Sequence, residues 1–524
     1  MVQRVPKLNQ RSLDIINARV SLMELHCIPD INSMPYRKSS AIGTILDGKD
    51  PDSTPSAYCG VIVQGPYAGS PCSALPPELL SLIFLYAKPK RRVAHKIPFE
   101  VSISHVCKFW RGVALGTPLL WNRIDVYSKR SKAWVLYYLA RSAQRPLDVY
   151  IDIYRSDRAL SEGSKPMTGF ASMLKEFFSN IHRLRLFSLI CYRQTTAIYW
   201  QSSFGGCDAP LLQSFSIRYG SSFSGVQEGF GGSATLLEGG PLDRLTFLET
   251  DTPNVLPPPA SRRNLTTLYL HGIDSSLQFR SDEFIQTFEA LPSLVNLSLQ
   301  GTVGAGFWPT GMPLAPQFTL NKLKALRLLD GGGLAIRMLL AVTAEHLESL
   351  WLDCSYDNFS THLFDAPQFN NNRPKFPNLK HLTLVMGDFT MSSRFAKIFP
   401  TITHLHFHYA IYKEASKLFH AFTESRWSSL RVLVFSAFRE KDAQELNEAL
   451  RRILCQRIQD NNPMSKILLD KDHLRFLDRV LPVEAKGLYK LVEFDVVRAD
   501  NYPEYWWNTF RRNAERPFYC NRRL

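Results

Sequence analysis

The densest run of chemically capable residues is His-Leu-His-Phe-His at 404–408. His404, His406 and His408 alternate with apolar residues, the spacing that places three imidazoles on one face of a β-strand. Imidazole is the commonest metal ligand and the side chain that changes charge near neutral pH. A zinc site, however, needs three or four ligands converging at about 2 Å. Residues i, i+2 and i+4 of a strand spread over about 14 Å. Only a cross-strand pair such as His381 with His404 converges. The pattern therefore predicts a polar, pH-sensitive or merely solvated face, and no metal.

Other signatures of catalysis are missing from the sequence. It has no GxSxG, HExxH, Walker-A or GxGxxG motif. The Gly triplet at 331–333 lacks the Lys-Ser/Thr of a phosphate loop. Nine Cys, an odd number without a CxxC pair, argue against a disulfide framework or a zinc module. Cys107 is expected as a packed helix residue, not an activated thiol. No catalytic residue and no cofactor is expected.

The elements that must carry these residues follow from length and pattern. The chain has 524 residues, enough for about three domains or one long repeat array with an attachment. Its hydrophobic content of 45% and charged content of 21% are those of a globular protein. No apolar run reaches the roughly 18 residues of a membrane span. The first 30 residues carry no signal-peptide core, because Asp14, Arg19 and Glu24 interrupt it. A cytoplasmic or nuclear protein without membrane contact is the expectation. The net charge of +15 favours acidic partners in general.

Residues 1–27 contain a short amphipathic helix, with Leu13, Ile16, Val20, Met23 and Cys27 at helical spacing. Residues 28–73, rich in Pro, Gly, Ser and Asp, read as a linker, irregular or disordered. Residues 74–127 change character. ALPPELLSLIFLYAKP predicts a helix with Pro at its entry, Glu78 in the first turn and an apolar face of Leu79, Leu80, Ile83 and Phe84. A basic loop at 88–96 follows. FEVSISHVCKFWRGVALGTPLLW reads as a second helix with Val106, Trp110, Val113 and Ala114 on one side, and WNRIDVY as a strand. Residues 128–180 read as connecting helices and strand.

From 181 to 500 a repeat appears. An apolar residue, two variable residues, an apolar residue, one variable residue and an apolar residue recur. The matches are at 184–189, 212–217, 242–247, 265–270, 294–299, 323–328, 347–352, 379–384, 402–407, 430–435 and 491–496. Steps between first positions run from 23 to 32 residues, except for a final step of 61 that predicts a degenerate repeat or an insertion. A leucine-rich repeat has a period of about 20–29 residues. The expected fold class is α/β: a small helical module followed by an irregular leucine-rich-repeat solenoid, a curved and mostly parallel sheet with helical or loop returns. Stacked neighbours share a core that no single repeat can build. Residues 501–524 are expected to cap its end through Tyr505, Trp506 and Phe510.

ALPPELLSLIF (74–84) with SHVCKFWRGVALGTPLLW (104–121) resembles the F-box, in the form found in large fungal families of F-box proteins. The Leu-Pro-Pro-Glu entry, the Val-Cys-x-x-Trp-Arg core and the Thr-Pro-x-x-Trp exit carry the likeness. It covers about 50 residues, and the basic loop at 88–96 departs from it. The resemblance implies a non-catalytic, substrate-recognition subunit of an SCF-type cullin–RING ubiquitin ligase. The F-box would dock on a Skp-type adaptor and through it a cullin, with the repeats holding an unknown protein substrate. By position, Leu75, Pro76, Leu79, Leu80, Ile83 and Phe84 would supply adaptor contacts. Val106, Cys107 and Trp110 would share that role or hold the helices together. The residues agree, since a helical module of this size cannot bury every apolar side chain it carries.

Strand alternation assigns a concave face to the residues at offsets two, four and six of each repeat. That face gathers Arg218, Tyr269, His271, Asn296, Gln300, Arg327, Trp351, Asp353, His381, His404, His406 and His408. Trp, Tyr and Arg dominate interface hot spots, which makes it the expected substrate-binding surface. Trp351 either fills a local groove or awaits a partner. Two rival functions stand beside this one. A repeat scaffold acting outside a ligase has the same sequence features. Nucleic-acid binding rests on net charge alone, and the basic residues are dispersed.

Overall fold

The computed structural model of the chain describes residues 75–89, 97–127, 132–153, 175–219, 242–251, 262–270, 286–300, 317–329, 332–353, 374–385, 394–408, 427–436, 443–469, 471–480 and 487–496. The N-terminal helix and linker (1–73), the basic residues 90–96, His271 and the aromatic C-terminal segment lie outside the described residues.

Three helices open the described chain. Helix α1 (Pro77–Ala87) starts where Pro77 supplies a pre-set φ and needs no amide partner, with Glu78 against the positive helix end. It stops at Lys88, whose extended backbone (φ −60°, ψ 119°) is what a residue before proline adopts. The second expected helix is two: α2 (Phe99–Ser104) and α3 (Lys108–Leu115). The break falls at Cys107, which is extended and accepts the Trp110 amide on its sulfur, so Cys107 caps α3 and is exposed, not packed within a helix. Val106 is likewise thrown outward by the break and leaves the side that holds Val113 and Ala114. The Arg111 guanidinium spans the break by donating to the Ser104 carbonyl at 2.9 Å.

The rest is mixed α/β, dominated by one long sheet whose described strands are all parallel. Its strands are β1 (Arg123–Tyr127), β2 (Leu147–Asp152), β3 (Leu184–Cys191), β4 (Ser214–Tyr219), β5 (Phe247–Thr250), β6 (Thr267–Leu270) and β7 (Asn296–Gln300). After the short β8 (Phe318–Thr319) come β9 (Ala325–Leu329) and the short β10 (Val342–Thr343). Then follow β11 (Ser349–Asp353), β12 (His381–Val385), β13 (His404–His408), β14 (Val432–Ser436), β15 (Lys466–Leu469) and β16 (Glu493–Val496). The 14 strands other than β8 and β10 lie side by side in chain order, while β8 and β10 pair as a separate two-stranded sheet. Parallel strands in chain order, joined by crossovers of one hand, put their returns on the same side of the sheet. This is repeat-solenoid architecture. The described returns include α4 (Lys132–Arg141), α5 (Gln194–Ser203), α6 (Gly332–Ala341), α7 (Arg394–Ile398), α8 (Ala443–Gln459) and α9 (Lys471–Val480).

The repeat template has a direct structural meaning. Its first, fourth and sixth residues form the main core: Leu323, Leu326 and Leu328, or Leu347, Leu350 and Leu352, are all buried. Equivalent rings stack from one repeat to the next, Phe187 on Phe215 and Phe407 on Phe435, each pair 5.4 Å apart. The residue before each strand donates its amide to the preceding repeat, as Lys324 does to Val295, Glu348 to Lys324, and Lys380 to Glu348.

Two expectations about this array change, and a third is resolved. The match at 242–247 is out of register, because Phe247 pairs with Ser214, which makes Leu245, Leu248 and Thr250 the inward set. Leu at both 242 and 245 allowed two registers, and Thr250 at the sixth position concealed the correct one. The 61-residue step holds the degenerate repeat expected there, β15, whose inward residues are Met464, Ile467 and Leu469. The sheet also begins earlier than residue 181, with β1 and β2.

Candidate functional site

The first site is the surface of the helical module. α1 has two sides. Leu80 and Phe84 point into the core, where Trp110 meets Phe84 edge-on at 5.0 Å. Leu79, Leu82 and Tyr86 point outward and are 49%, 50% and 67% exposed. A spacing of three then four residues puts those three on one helical stripe. Leu75 and Ile83 are half-buried, and Pro76 is exposed. The adaptor assignment for Leu80 and Phe84 is therefore corrected: their side chains are spent inside this chain. Trp110, half-buried against Phe84, holds α3 to α1. Val106 and Cys107 are exposed.

Further exposed apolar side chains that the sequence pattern did not mark include Leu82 and Tyr86 on α1, Ile97 before α2, Phe109 on α3, and Leu119 in the turn that follows. On α1 the signal was present in the helical period. The two sides of α1 meet between Leu79, which is exposed, and Leu80, which is buried.

Hydrogen bonds fix this module on its base. Ser81 and Thr117 share a hydroxyl contact of 3.0 Å, and Thr117 donates to the Val113 carbonyl at 2.7 Å. The Lys88 ammonium donates to the Leu120 carbonyl at 2.8 Å. Trp121 is buried and gives its indole N–H to the Ala114 carbonyl at 2.8 Å, while its ring meets Tyr138 of α4 at 5.2 Å.

The second site is the sheet face opposite the main core. In the strand register, Tyr269, Ser298, Arg327, Trp351, Thr383 and His406 occupy one row across β6, β7, β9, β11, β12 and β13. Arg218, on β4, lies on the same face, and so do His381 and His404 one row away. Asp353 and His408 occupy face positions by register.

The middle of that row is not an open surface. Phe247, Tyr269, Ala325, Leu329 and Trp351 form a second, small apolar core, with Val385 packed against it. The Arg327 guanidinium lies over the Trp351 ring at 4.4 Å, and the His406 ring stands edge-on to Trp351 at 6.4 Å. Trp351 fills a groove in its own chain. Tyr269, Arg327, Trp351 and His406 are all buried, which corrects their expected role as a ready contact surface. The sequence placed them on the right face but could not show that neighbouring large side chains cover one another.

Toward β1 the face is charged and mutually neutralised. Arg185 grips Asp148 through two hydrogen bonds of 2.8 and 2.6 Å, Arg123 reaches Asp125 at 3.2 Å, and Arg218 lies 3.5 Å from Glu249. Ser216 donates to Glu249 at 2.6 Å. Toward β16, Lys466 bridges Glu493 at 2.9 Å and Asp495 at 3.0 Å.

His381 and His404 stack with ring centroids 4.3 Å apart. Burial, with lesser repulsion from His404 and Lys380, pushes the His381 imidazole down to about 4, and burial also lowers His404. His404 Nδ1 is 2.8 Å from the Thr403 hydroxyl. The two rings, tilted by 37°, are a packing pair. Among the described residues, no group of three or more His, Cys, Asp or Glu is placed to hold a metal ion. No helix among them is long and apolar enough to cross a membrane.

Half-buried positions of this face include Arg218, Asn296, Gln300, His381, His404, Val432, Lys466 and Asp495. Solvent reaches these side chains and not the buried middle row.

No curated protein matches the chain. A protein-family model described as F-box-like matches residues 72–127, the span that holds α1, α2, α3 and β1. The chain thus carries an F-box-like domain, a module that generally binds Skp-type adaptors and performs no chemistry of its own.

Proposed function

We propose that this chain is the substrate-receptor subunit of an SCF-type cullin–RING ubiquitin ligase, working in the cytosol or nucleus. The observation that supports the reading is the outward stripe Leu79–Leu82–Tyr86 on the first helix of the F-box-like domain. Burying one such side chain in an interface contributes about 1.5–3 kcal/mol. The same helix anchors its other side with Leu80 and Phe84, so the stripe stays presented without unravelling the helix.

In this role the chain catalyses nothing. It holds a substrate near the ubiquitin donor, which raises effective concentration. The substrate surface on this reading is an irregular leucine-rich-repeat face. Its contacts centre on the half-buried row Asn296, His381, His404 and Lys466, while the Trp351 cluster provides rigid support beneath.

Co-purification of the whole chain with a Skp-type adaptor tests the docking step, with a Leu79→Asp, Leu82→Asp double variant alongside. The expected result is a stoichiometric complex for the wild type and none for the variant, with unchanged circular dichroism. A wild-type chain that does not bind would replace this reading by a repeat scaffold acting outside a ligase.

A further inference from the structure

Cations that are dispersed in the sequence are gathered by the solenoid. Each repeat enters its strand through a tight turn closed by the amide of the first repeat position, as Leu265 closes on Arg262, Leu323 on Leu320 and Leu379 on Phe376. The strands are parallel and in chain order, so these turns all lie at one edge of the sheet. Backbone amides joining Lys324, Glu348, Lys380, Thr403 and Arg431 in succession fix the order along that edge. Residues one repeat apart in the chain become neighbours at a strand spacing of about 4.8 Å.

Between β5 and β14 this edge is basic. Arg244 and Arg263 precede β5 and β6, Lys322 and Lys324 precede β9, Lys380 precedes β12 and Arg431 precedes β14, and all are exposed. The acids at the same turn positions are Asp243, Glu345 and Glu348. Glu348 lies 3.6 Å from Lys324 and neutralises it, and Arg431 donates to the Asn462 side chain. Among the described residues Arg244, Arg263, Lys322 and Lys380 pair with no carboxylate. On the adjoining sheet face Arg218 and Lys466 are already matched by Glu249 and Asp495. The unspent positive charge therefore sits on the edge.

The stripe suits spaced carboxylates better than a phosphate backbone. Seven strand steps separate β5 from β14. At about 4.8 Å each they span about 34 Å, the reach of about ten extended residues. Asp243 and Glu345 interrupt the stripe and would repel a continuous run of phosphates. A protein segment passes them with an uncharged residue. No described turn position from Asp243 to Arg431 carries an exposed Phe, Tyr or Trp on which a base could stack.

We propose that this edge binds an acidic, extended segment of a partner protein, rich in Asp and Glu. The surface lies outside the F-box-like domain at 72–127 and does not depend on the adaptor reading. Exposed ion pairs are individually weak and screened by salt, so the binding is modest and salt-sensitive.

The test is fluorescence anisotropy of labelled deca-glutamate with the full chain at low salt. Wild type is compared with a Lys322→Glu, Lys380→Glu edge variant and with an Arg451→Glu, Arg479→Glu control. The control makes the same change in net charge at exposed positions of α8 and α9. An Arg244→Gln, Arg263→Gln variant repeats the loss at a second place on the edge without adding acid. Both edge variants are expected to weaken binding, the charge-reversed one at least about fivefold, while the control stays within about twofold of wild type. Equal losses in the edge variants and the control would show that net charge alone attracts the peptide, and the proposal falls. It falls as well if wild type does not bind deca-glutamate. A short DNA duplex that binds more tightly than deca-glutamate, and loses that binding in the edge variants, would make the edge a nucleic-acid surface instead.

Discussion

Tyr138 donates its phenolic hydrogen to the carboxylate of Glu100, and both side chains are wholly buried. The bond joins α2 of the helical module to α4, the first return of the sheet. With Trp121 packed beside Tyr138, it makes the module and the sheet one body with a continuous core from Leu80 to Val492.

Tyr138→Phe removes the donor and keeps the ring. It is expected to lower unfolding free energy by about 1–3 kcal/mol, because a buried carboxylate loses a hydrogen-bond partner. Urea denaturation checks this. A stability equal to wild type would show that the joint is held by Trp121 packing alone.

Trp351→Ala should destabilise the chain by about 3–5 kcal/mol, since the ring is buried, stacks under Arg327 and belongs to the second apolar core. Had Trp351 been a waiting contact residue, the same change would leave the melting temperature nearly unmoved. Differential scanning fluorimetry separates these outcomes.

The stacked histidines should make stability fall in mild acid. Folded His381 titrates near 4, well under its unfolded value, so between about 6.5 and 4 the unfolded chain binds the extra proton. Stability contributed by the neutral ring is complete above about pH 6.5 and is lost as pH falls toward 4, to a total on the order of 3 kcal/mol. His404 is lowered as well and adds a loss of the same sign. In His381→Gln the pH slope over this window should flatten, as measured by chemical denaturation at a series of pH values.

Arg457 of α8 is buried and donates to the Trp427 carbonyl at 3.1 Å and the Leu430 carbonyl at 2.8 Å, tying the β14 turn to the helix. Arg457→Met keeps much of the volume but removes both donors. A loss of about 2–4 kcal/mol is expected. Faster amide exchange should be confined to β14, β15 and α8, and uniform acceleration along the whole sheet would contradict this local role.

The legible part of the fold was its period. Leu, Ile and Phe at positions one, four and six recur because each parallel strand must bury one face, and that need is written locally in every repeat. The same alternation placed Arg218, Trp351 and the histidines on the opposite face. Where the local signal was doubled, as with Leu242 and Leu245, the register was misread. Where Met464 stands in place of Leu, the repeat is visible only as a double-length step.

What the sequence by itself determined is the one-dimensional order: a helix entering at Pro77, a row of strands in chain order, and a set of residues on each face. Only tertiary structure decided which face residues stay open. Exposure depends on neighbours brought side by side from 20 to 30 residues away, as Arg327 is to Trp351. It also decided which side of α1 is free, because burial of Leu80 and Phe84 requires α3 and Trp110 to be in place. Periodicity records that a side chain is apolar. Whether that side chain is covered is settled by packing between distant segments.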